Sequence, residues 1–531
     1  MAKTLYEALA GHELVFLPGE YQYVSEEERQ RIAESFLQSV DVVAGVPDAW
    51  LATARQRLGS SVPFVFFTHG GLPMGAWTLR QYLPYLTTRD VLMISGTADQ
   101  ALVRQYFTNA NARIVPFAYD PVFSPMDEEE RREVRRKLRF GENDRIILYA
   151  GRISPEKHVH TLLSVFGVIS KRIPDARLVV VGGVEVGNLT PYYDVFPLEY
   201  SSSFSRIIAK LDMPARFRIM GQAGTERLRE LYNIADLKVN LTLNLDENFG
   251  LAQVECMACG TPVVGTAWGG LKDSIVDGVT GYQVSTVATP TGVKLSWWEA
   301  INRIVALLED GPARARMRSA CLRHVERYTL AAHIDTLREV LASVERDAGR
   351  PAEPLQATPW AQEFWSVCDP KWPVGMFRRG QRSEELSREL AAPYTGALPE
   401  NVPPGEPLEA GQVLSLATPV EMSPAGWMRL DDPLHPLRLD VPPAYLENVR
   451  AIFTAMREEP AITVDKLTRV RLATLADVSA ALRWMLEMGL VLRTRPVPGW
   501  IEPETVDRRV SEVLFSVQYV DRAATDLIVY Q

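Results

Sequence analysis

Apolar and polar residues alternate along the first 350 residues in a pattern that predicts short buried strands separated by amphipathic helices. Strand-like runs are predicted at 13–17, 41–46, 63–68, 90–95 and 113–117, and, after a break at 121–126, at 146–150, 177–181, 237–241 and 262–266. Helical stretches lie between them, and one begins with Ser25 and Glu28 at the spacing of a capping box. Strands that alternate with helices need crossover connections, so the pattern predicts parallel sheets.

The break between the two series predicts the fold class. We expect an α/β protein with two Rossmann-like domains facing a cleft, the first over residues 1–125 and the second over 126–350. Ligands bind beyond the carboxyl ends of the strands in sheets of this kind. Candidate chemistry is therefore expected in the loops after Ala150, Leu243 and Thr266.

The pattern changes after residue 350. Residues 351–531 hold 20 of the 36 prolines and carry 18 Lys and Arg against 25 Asp and Glu. We assign 351–443 to a Pro-rich linker and irregular region, and 444–531 to a mostly helical domain. Helices predicted at 445–456, 464–470 and 475–487, followed by a strand at 491–494, have the order of a winged helix. The acidic balance argues against binding to nucleic acid.

Composition excludes several classes of protein. The 531 residues are 47% hydrophobic with a net charge of −9, which is incompatible with intrinsic disorder. No apolar run approaches the length of about 18 residues that a membrane span needs, and no signal peptide is visible. The four cysteines form no disulfide framework, so we predict a cytoplasmic protein. Cys256 and Cys259 have metal-ligand spacing without a partner pair, and we interpret them as core residues.

The first candidate motif is AGRISPEKH, residues 150–158. Arg152 leaves the end of a predicted strand, and Lys157 lies on the first turn of a helix predicted over 155–170. A helix N-terminus with two nearby cations suits a diphosphate. Two surface cations at an ordinary helix start are the alternative interpretation.

The second motif is DENFGLAQVECMACGTPVV, residues 246–264, in which Glu247 and Glu255 bracket a helix start. The backbone of Phe249, Gly250 and Leu251 offers amides there, and glycine allows close approach to a ligand. Ionised carboxylates accept hydrogen bonds from sugar hydroxyls, although for an isolated pair solvated glutamates would be the better interpretation.

The third motif is TAWGGLKDSIVDGVTG, residues 266–281. Gly269 and Gly270 directly follow a predicted strand, and they permit a tight turn next to a ligand. The later Asp277 and Gly278 have ordinary turn chemistry.

Taken together, these motifs resemble the donor domain of the family 4 retaining glycosyltransferases, which have the two-domain GT-B fold. The resemblance rests on AGRISPEKH, ENFGLAQVECMACGTPVV and WGGLKDSIVDGVTGY. It covers residues 140–345 well, 12–125 loosely and 351–531 not at all. It implies that 1–125 is the acceptor-side domain and 126–350 binds the donor, a nucleotide-diphosphate sugar.

The resemblance also implies roles for individual residues. Arg152 and Lys157 would hold the donor diphosphate, Glu247 would touch the transferred sugar, and Glu255 would bind the ribose hydroxyls. The donor would further be contacted by Phe249, Gly250, Leu251, Gly221, Gly269 and Gly270. The implied reaction is retaining glycosyl transfer through an oxocarbenium-like transition state, with no metal and no other cofactor.

In the N-terminal half, His69 ends a predicted strand, VFFTH, before Gly70 and Gly71. Members of the family often place a histidine there facing the donor sugar, and a structural histidine is the alternative. The family's first strand and its Gly-rich loop are missing before GHE, so we expect either an abbreviated N-terminal domain or a late start of the chain.

Other functions remain open from the sequence. A phosphorylase or a sugar-nucleotide epimerase would share the architecture, and a non-catalytic sensor or scaffold with a winged-helix tail lies outside catalysis. The acceptor is unidentified; a peptide, a protein or a small metabolite would each fit. We expect 351–531 to recognise the acceptor or to hold a homo-oligomer together.

Overall fold

The structure is a computed structural model of the chain. It describes residues 11–46, 48–68, 83–154, 157–183, 208–209, 216–244, 247–347, 349–367, 381–417, 420–430, 437–469, 475–506 and 508–510. These residues form two compact units. The first comprises the described residues of 1–120, 245–251 and 326–378, and the second those of 121–244, 252–325 and 379–531.

The described strands and helices are numbered in chain order. The strands are β1 (Val43–Gly45), β2 (Phe64–Phe67), β3 (Val91–Ile94), β4 (Asn111–Ile114), β5 (Arg145–Ala150), β6 (Ala176–Val181), β7 (Phe217–Ile219), β8 (Leu237–Asn240), β9 (Val263–Thr266), β10 (Gly281–Val284), β11 (Thr286–Thr289), β12 (Gly292–Leu295), β13 (Val413–Leu416), β14 (Val420–Met422), β15 (Trp427–Leu430), β16 (Leu437–Asp440), β17 (Ala461–Thr463) and β18 (Val491–Thr494). The helices are α1 (Glu26–Gln38), α2 (Ala49–Leu58), α3 (Thr97–Tyr106), α4 (Glu128–Lys137), α5 (Val159–Arg172), α6 (Thr225–Ile234), α7 (Leu251–Ala258), α8 (Leu271–Ser274), α9 (Trp297–Glu309), α10 (Gly311–His324), α11 (Leu330–Arg346), α12 (Pro359–Val367), α13 (Gln381–Ala391), α14 (Leu446–Glu458), α15 (Val464–Arg469) and α16 (Leu475–Glu487).

The first unit contains a parallel sheet with the strand order β1-β2-β3-β4. The strands β2 and β3 are continuous apolar runs, as expected of parallel strands covered on both faces, and Val65, Val91 and Met93 are almost fully buried. The helix α11, which lies far from these strands in the sequence, closes this core with Leu337 and Val340. The second unit contains a parallel sheet with the order β10-β9-β8-β5-β6-β7. The predicted α/β class with two Rossmann-like parts is confirmed.

One predicted strand is wrong. The apolar run at 13–17 forms no strand, and Leu14, Val15 and Phe16 are exposed. An apolar run becomes a strand only when another strand hydrogen-bonds its backbone, and no described strand pairs with this one.

Residues 353–367 are an ordered part of the first unit rather than a linker. Backbone bridges join Thr87 to Pro354 and Phe107 to Ala357. The helix α12 that follows stacks the ring of Trp365 on Tyr106, at 5.7 Å between centroids. The many prolines favoured the prediction of a linker here. The aromatic side chains of the segment, however, bury apolar area against the first unit and stabilise it there.

The C-terminal region contains the predicted secondary structure in a larger fold. The helices α14, α15 and α16 and the strand β18 lie within two residues of their predicted bounds. However, β13, from the region predicted to be irregular, pairs antiparallel with both β17 and β18. The strands β14, β15 and β16 form a second antiparallel sheet. The division at residue 443 therefore does not separate two structures, and the winged helix stays a prediction.

The C-terminal region also contacts the parallel-sheet part of its own unit, chiefly along α9. The indole Nε1 of Trp297 donates to the carbonyl of Leu416 at 2.7 Å. Arg303 pairs with Glu400 at 2.8 Å, and the backbone N–H of Ile501 donates to Asn302 Oδ1 at 2.8 Å. These contacts explain why the described residues of 379–531 fall in the same compact unit as those of 121–244 and 252–325.

Glu299, on the first turn of α9, is completely buried, and one of its carboxyl oxygens accepts the backbone N–H of Ser285 at 2.8 Å. Burial raises its pKa to about 7, against the opposing effect of the Ser285 hydrogen bond. Because the folded chain then holds this proton more tightly than the unfolded chain, its contribution to stability is complete below about pH 4.5. That contribution is lost as the pH rises through 7.

Glu299→Gln is expected to remove this pH dependence, since glutamine keeps an oxygen for Ser285 and cannot ionise. The melting temperature of the wild type relative to this variant should therefore fall between pH 5 and pH 8, measured by thermal denaturation. Glu309→Gln, at the exposed end of the same helix, is the matched control. A difference between wild type and Glu299→Gln that stays constant with pH would disprove the assignment.

No helix within the described residues has the length and apolar character needed to cross a membrane. The cytoplasmic location expected from the sequence stays a prediction.

Candidate functional site

Glycines follow three neighbouring strands of the second sheet, so that the backbone at this edge carries no side chains there. The N–H of Gly151, after β5, donates to the carbonyl of Val181, and the N–H of Gly182, after β6, donates to the carbonyl of Gly221 at 2.8 Å. Gly221 follows β7 and has a positive φ of 67°. A Cβ at Gly182 would lie 1.8 Å from the carbonyl oxygen of Gly151. The backbones approach so closely that only glycine fits, and the structure thus places Gly221 at the same sheet edge as the motif after β5.

Arg152 and Lys157 both lie at this edge and are partly buried. The carbonyl of Arg152 accepts a hydrogen bond from the buried phenol of Tyr149, and the N–H of Ile153 donates to the carbonyl of Gly183 at 2.9 Å. The loop that carries the two cations is therefore tied to β5 and to the end of β6. Two cationic side chains on such a loop favour an anionic ligand.

The helix after this loop begins later than predicted. His158 has a left-handed backbone, with φ 50° and ψ 34°, and α5 starts at Val159. A residue in this conformation cannot continue a right-handed helix toward its N-terminus. Lys157 therefore lies just before the α-helix rather than on its first turn, which corrects the prediction; Pro155 and Glu156 fall outside the described residues.

Glu247 follows β8 and is 9% exposed. Two residues further, the ring of Phe249 makes edge-on contacts with the rings of Phe117 and Tyr328, with 5.6 and 5.3 Å between the ring centroids. The side chain of Phe249 thus anchors this segment within the first unit, so only its backbone is expected to meet a ligand. Gly250 has φ 82°, a conformation that favours glycine, and α7 begins at Leu251.

Glu255 lies on the second turn of α7 and is partly buried. The phenol of Tyr232 donates to its Oε2 at 3.4 Å. On the same helix, Cys256 and Cys259 are completely buried, and burial raises the pKa of both thiols, that of Cys259 to about 12. Buried neutral thiols fit the interpretation of this pair as core residues.

The turn at Gly269 and Gly270 is held by the chain itself. The N–H of Gly269 donates to the carbonyl of Tyr394 at 2.9 Å, and the Nζ of Lys272 donates to Thr395 at 3.0 Å. The indole of Trp268, just before the turn, contacts the ring of Tyr394 and donates to the carbonyl of Asn244 at 2.7 Å. The amide of Gly269 is therefore already used, and any donor contact at this turn would have to come from other atoms.

The structure brings the loops after β5, β6 and β7 together, and it joins those after β8 and β9 through Trp268. Sequence reasoning missed Tyr149, Tyr232 and Tyr394, because aromatic residues outside the motifs carry no local signal of their contacts. It also missed the contacts of Trp268, which lies within the third motif. His69, predicted from the N-terminal half, lies outside the described residues. Among the described residues, no group of three or more His, Cys, Asp or Glu side chains could hold a metal ion.

Residues 130–321 match the family model described as "Glycosyl transferases group 1".

Among similar proteins, a "D-inositol 3-phosphate glycosyltransferase" of Corynebacterium aurimucosum is 26% identical over 258 residues, 48% of this chain and 56% of that protein. The protein of the same name in Mycobacterium tuberculosis strain F11 is 31% identical over 229 residues, 43% of this chain and 42% of that one. The chain spans about half the length of these curated relatives. The crystal structure of Anabaena Alr3699/HepE in complex with UDP covers 59% of this chain and 82% of its own, with 20% identity and a TM-score of 0.49.

Proposed function

We propose that the protein transfers a sugar from a nucleotide-diphosphate sugar to an acceptor hydroxyl, with retention of the anomeric configuration and without a metal ion. The family match over residues 130–321 is the observation that carries the proposal. The two cations after the end of β5 give it a chemical basis.

In this reaction the bond between the anomeric carbon and the diphosphate oxygen breaks, and a bond from the acceptor oxygen to the same carbon forms. The products are the glycosylated acceptor, the nucleoside diphosphate and the proton of the acceptor hydroxyl. Charge develops on the departing diphosphate while the sugar becomes oxocarbenium-like. Arg152 and Lys157 would stabilise that departing charge from a loop whose backbone is tied to the sheet at Arg152 and Ile153.

The two acidic residues would select the donor. A carboxylate at Glu255 accepts hydrogen bonds from ribose hydroxyls, and one at Glu247 accepts them from the transferred sugar. Both assignments follow from the resemblance to family 4 glycosyltransferases and from the burial of these carboxylates next to a helix start. His69 would face the donor sugar.

The test is a transfer assay with the full chain, using UDP-, GDP- and ADP-sugars as donors and a panel of acceptors. The panel should include D-inositol 3-phosphate, because the curated relatives are named for it, and peptides. NMR of the product reports its anomeric configuration, and a chelator tests the independence from metal. We expect nucleoside diphosphate release that depends on an acceptor and resists the chelator.

Three results would contradict the proposal in different ways. An inverted product would exclude retention, and a loss of activity with the chelator would show that a metal is needed. Turnover that depends on inorganic phosphate, or that needs no acceptor, would instead identify a phosphorylase or an epimerase.

A further inference from the structure

Tyr232 is a buried tyrosine that no sequence motif of the site includes. It lies near the end of α6 with 1% of its surface exposed, and its hydroxyl donates to Oε2 of Glu255 at 3.4 Å. Burial raises the pKa of this phenol, and the nearby Glu255 carboxylate raises it further. The hydroxyl therefore keeps its proton at neutral pH and acts as a hydrogen-bond donor.

Tyr232 is held through its backbone, its ring and the residue that follows it. Its own carbonyl accepts the hydroxyl of Thr261 at 2.6 Å, and its ring contacts Phe123 at 5.6 Å between centroids. The side chain of the next residue, Asn233, accepts the backbone N–H of Met126 at 2.7 Å and donates to the carbonyl of Ser124 at 3.0 Å. The hydroxyl of Tyr232 thus projects from a rigid point of the unit.

A glutamate side chain has three rotatable bonds, and fixing it on a ligand costs conformational entropy. A donor that already holds one carboxylate oxygen reduces this cost before the ligand arrives. Such preorganisation matters most where a single carboxylate must meet two hydroxyls at defined positions.

We infer that Tyr232 is a positioning residue, whose hydroxyl orients the Glu255 carboxylate toward the ribose hydroxyls of the donor nucleotide. The inference rests on the proposed function, because it takes from it the role of Glu255. It adds a residue on α6 that sets the preference for a ribonucleotide without itself touching the ligand.

The experiment measures the affinity of the full chain for UDP, GDP and ADP and for their 2′,3′-dideoxy counterparts, by isothermal titration calorimetry. Tyr232→Phe is expected to weaken binding of the best ribonucleoside diphosphate by about 3–10-fold, the range for a lost ordinary hydrogen bond, because Tyr232 acts on the ligand only through Glu255. Binding of its dideoxy counterpart should change by less than about twofold, since the hydroxyls that Glu255 would hold are missing.

A second variant separates positioning from a general structural effect. In a Glu255→Gln background, Tyr232→Phe should cause no further loss of affinity for the ribonucleotide, because the carboxylate that it orients is gone. Tyr106→Phe, which alters a buried tyrosine of the first unit, is the matched control and should leave every affinity unchanged.

Equal losses for the ribo and dideoxy nucleotides, or no loss for either, would overturn the inference while leaving the proposed function in place. A wild-type chain that binds no nucleoside diphosphate would overturn the proposed function, and the inference with it.

Discussion

Glu247→Ala is expected to lower the rate of sugar transfer by at least about 100-fold while the chain stays folded. The carboxylate is 9% exposed in the segment between β8 and α7, where its hydrogen bonds would strengthen as the transferred sugar gains positive charge. Removing one buried polar group that stabilises a transition state costs about 10²–10³ in kcat. Loss of an interaction made only in the transition state lowers kcat and kcat/KM together. Loss of an interaction made equally with the bound substrate would instead raise KM and leave kcat unchanged.

The measurement is steady-state kinetics of transfer combined with thermal denaturation. Glu226→Ala, at an exposed position on the first turn of α6, is the matched control and should retain wild-type rates. Glu247→Gln, which keeps the shape of the side chain, should be as inactive as the alanine variant. Full activity in either Glu247 variant would rule out its proposed role.

Gly182→Ala is expected to produce the largest loss of stability. A methyl group there would lie 1.8 Å from the carbonyl oxygen of Gly151, and the φ of 147° is itself unfavourable for any residue with a Cβ. Because the clash involves backbone on both sides, β5 and β6 would have to separate. We expect the free energy of unfolding to fall by more than about 3 kcal/mol, beyond the range of ordinary single substitutions.

Chemical denaturation of the full chain measures this loss. Gly224→Ala is the control in the same unit, because a Cβ there meets nothing within 4 Å and its φ of −73° suits alanine. A Gly182→Ala chain as stable as the Gly224→Ala chain would show that the strand ends are not packed as described. Weakened binding of the donor should accompany the destabilisation, since Gly151 directly precedes Arg152.

Much of this fold could be predicted from the sequence because buried parallel strands are continuous apolar runs. The runs at 146–150 and 177–181 correspond to β5 and β6 almost residue for residue. The same criterion failed at 13–17, since an apolar run does not reveal whether a partner strand exists. It also missed the pairing of β13 with β17 and β18, which joins residues about 50 to 80 positions apart.

The motifs of the candidate site were visible because they are contiguous in the sequence. The residues that hold those motifs in place could not be predicted, because they lie at distant positions in the sequence. Gly269 is fixed by Tyr394, and Glu255 by Tyr232. His158 is a local exception, since nothing in Lys-His-Val predicts a left-handed residue where glycine or asparagine is usual.

The central claim is that this chain binds a nucleotide-diphosphate sugar through Arg152 and Lys157. It is tested most directly by the melting temperature of the full chain in the presence of each of a panel of nucleotide sugars and free nucleotides. A ligand that binds only the folded state raises that temperature. Lys157→Ala is compared with Lys171→Ala, a control at the exposed opposite end of α5.

We predict that one nucleotide sugar stabilises the wild type and the Lys171→Ala chain by several degrees, and that Lys157→Ala abolishes the shift. The absence of a shift with every nucleotide sugar, or an equal shift in Lys157→Ala, would contradict the claim.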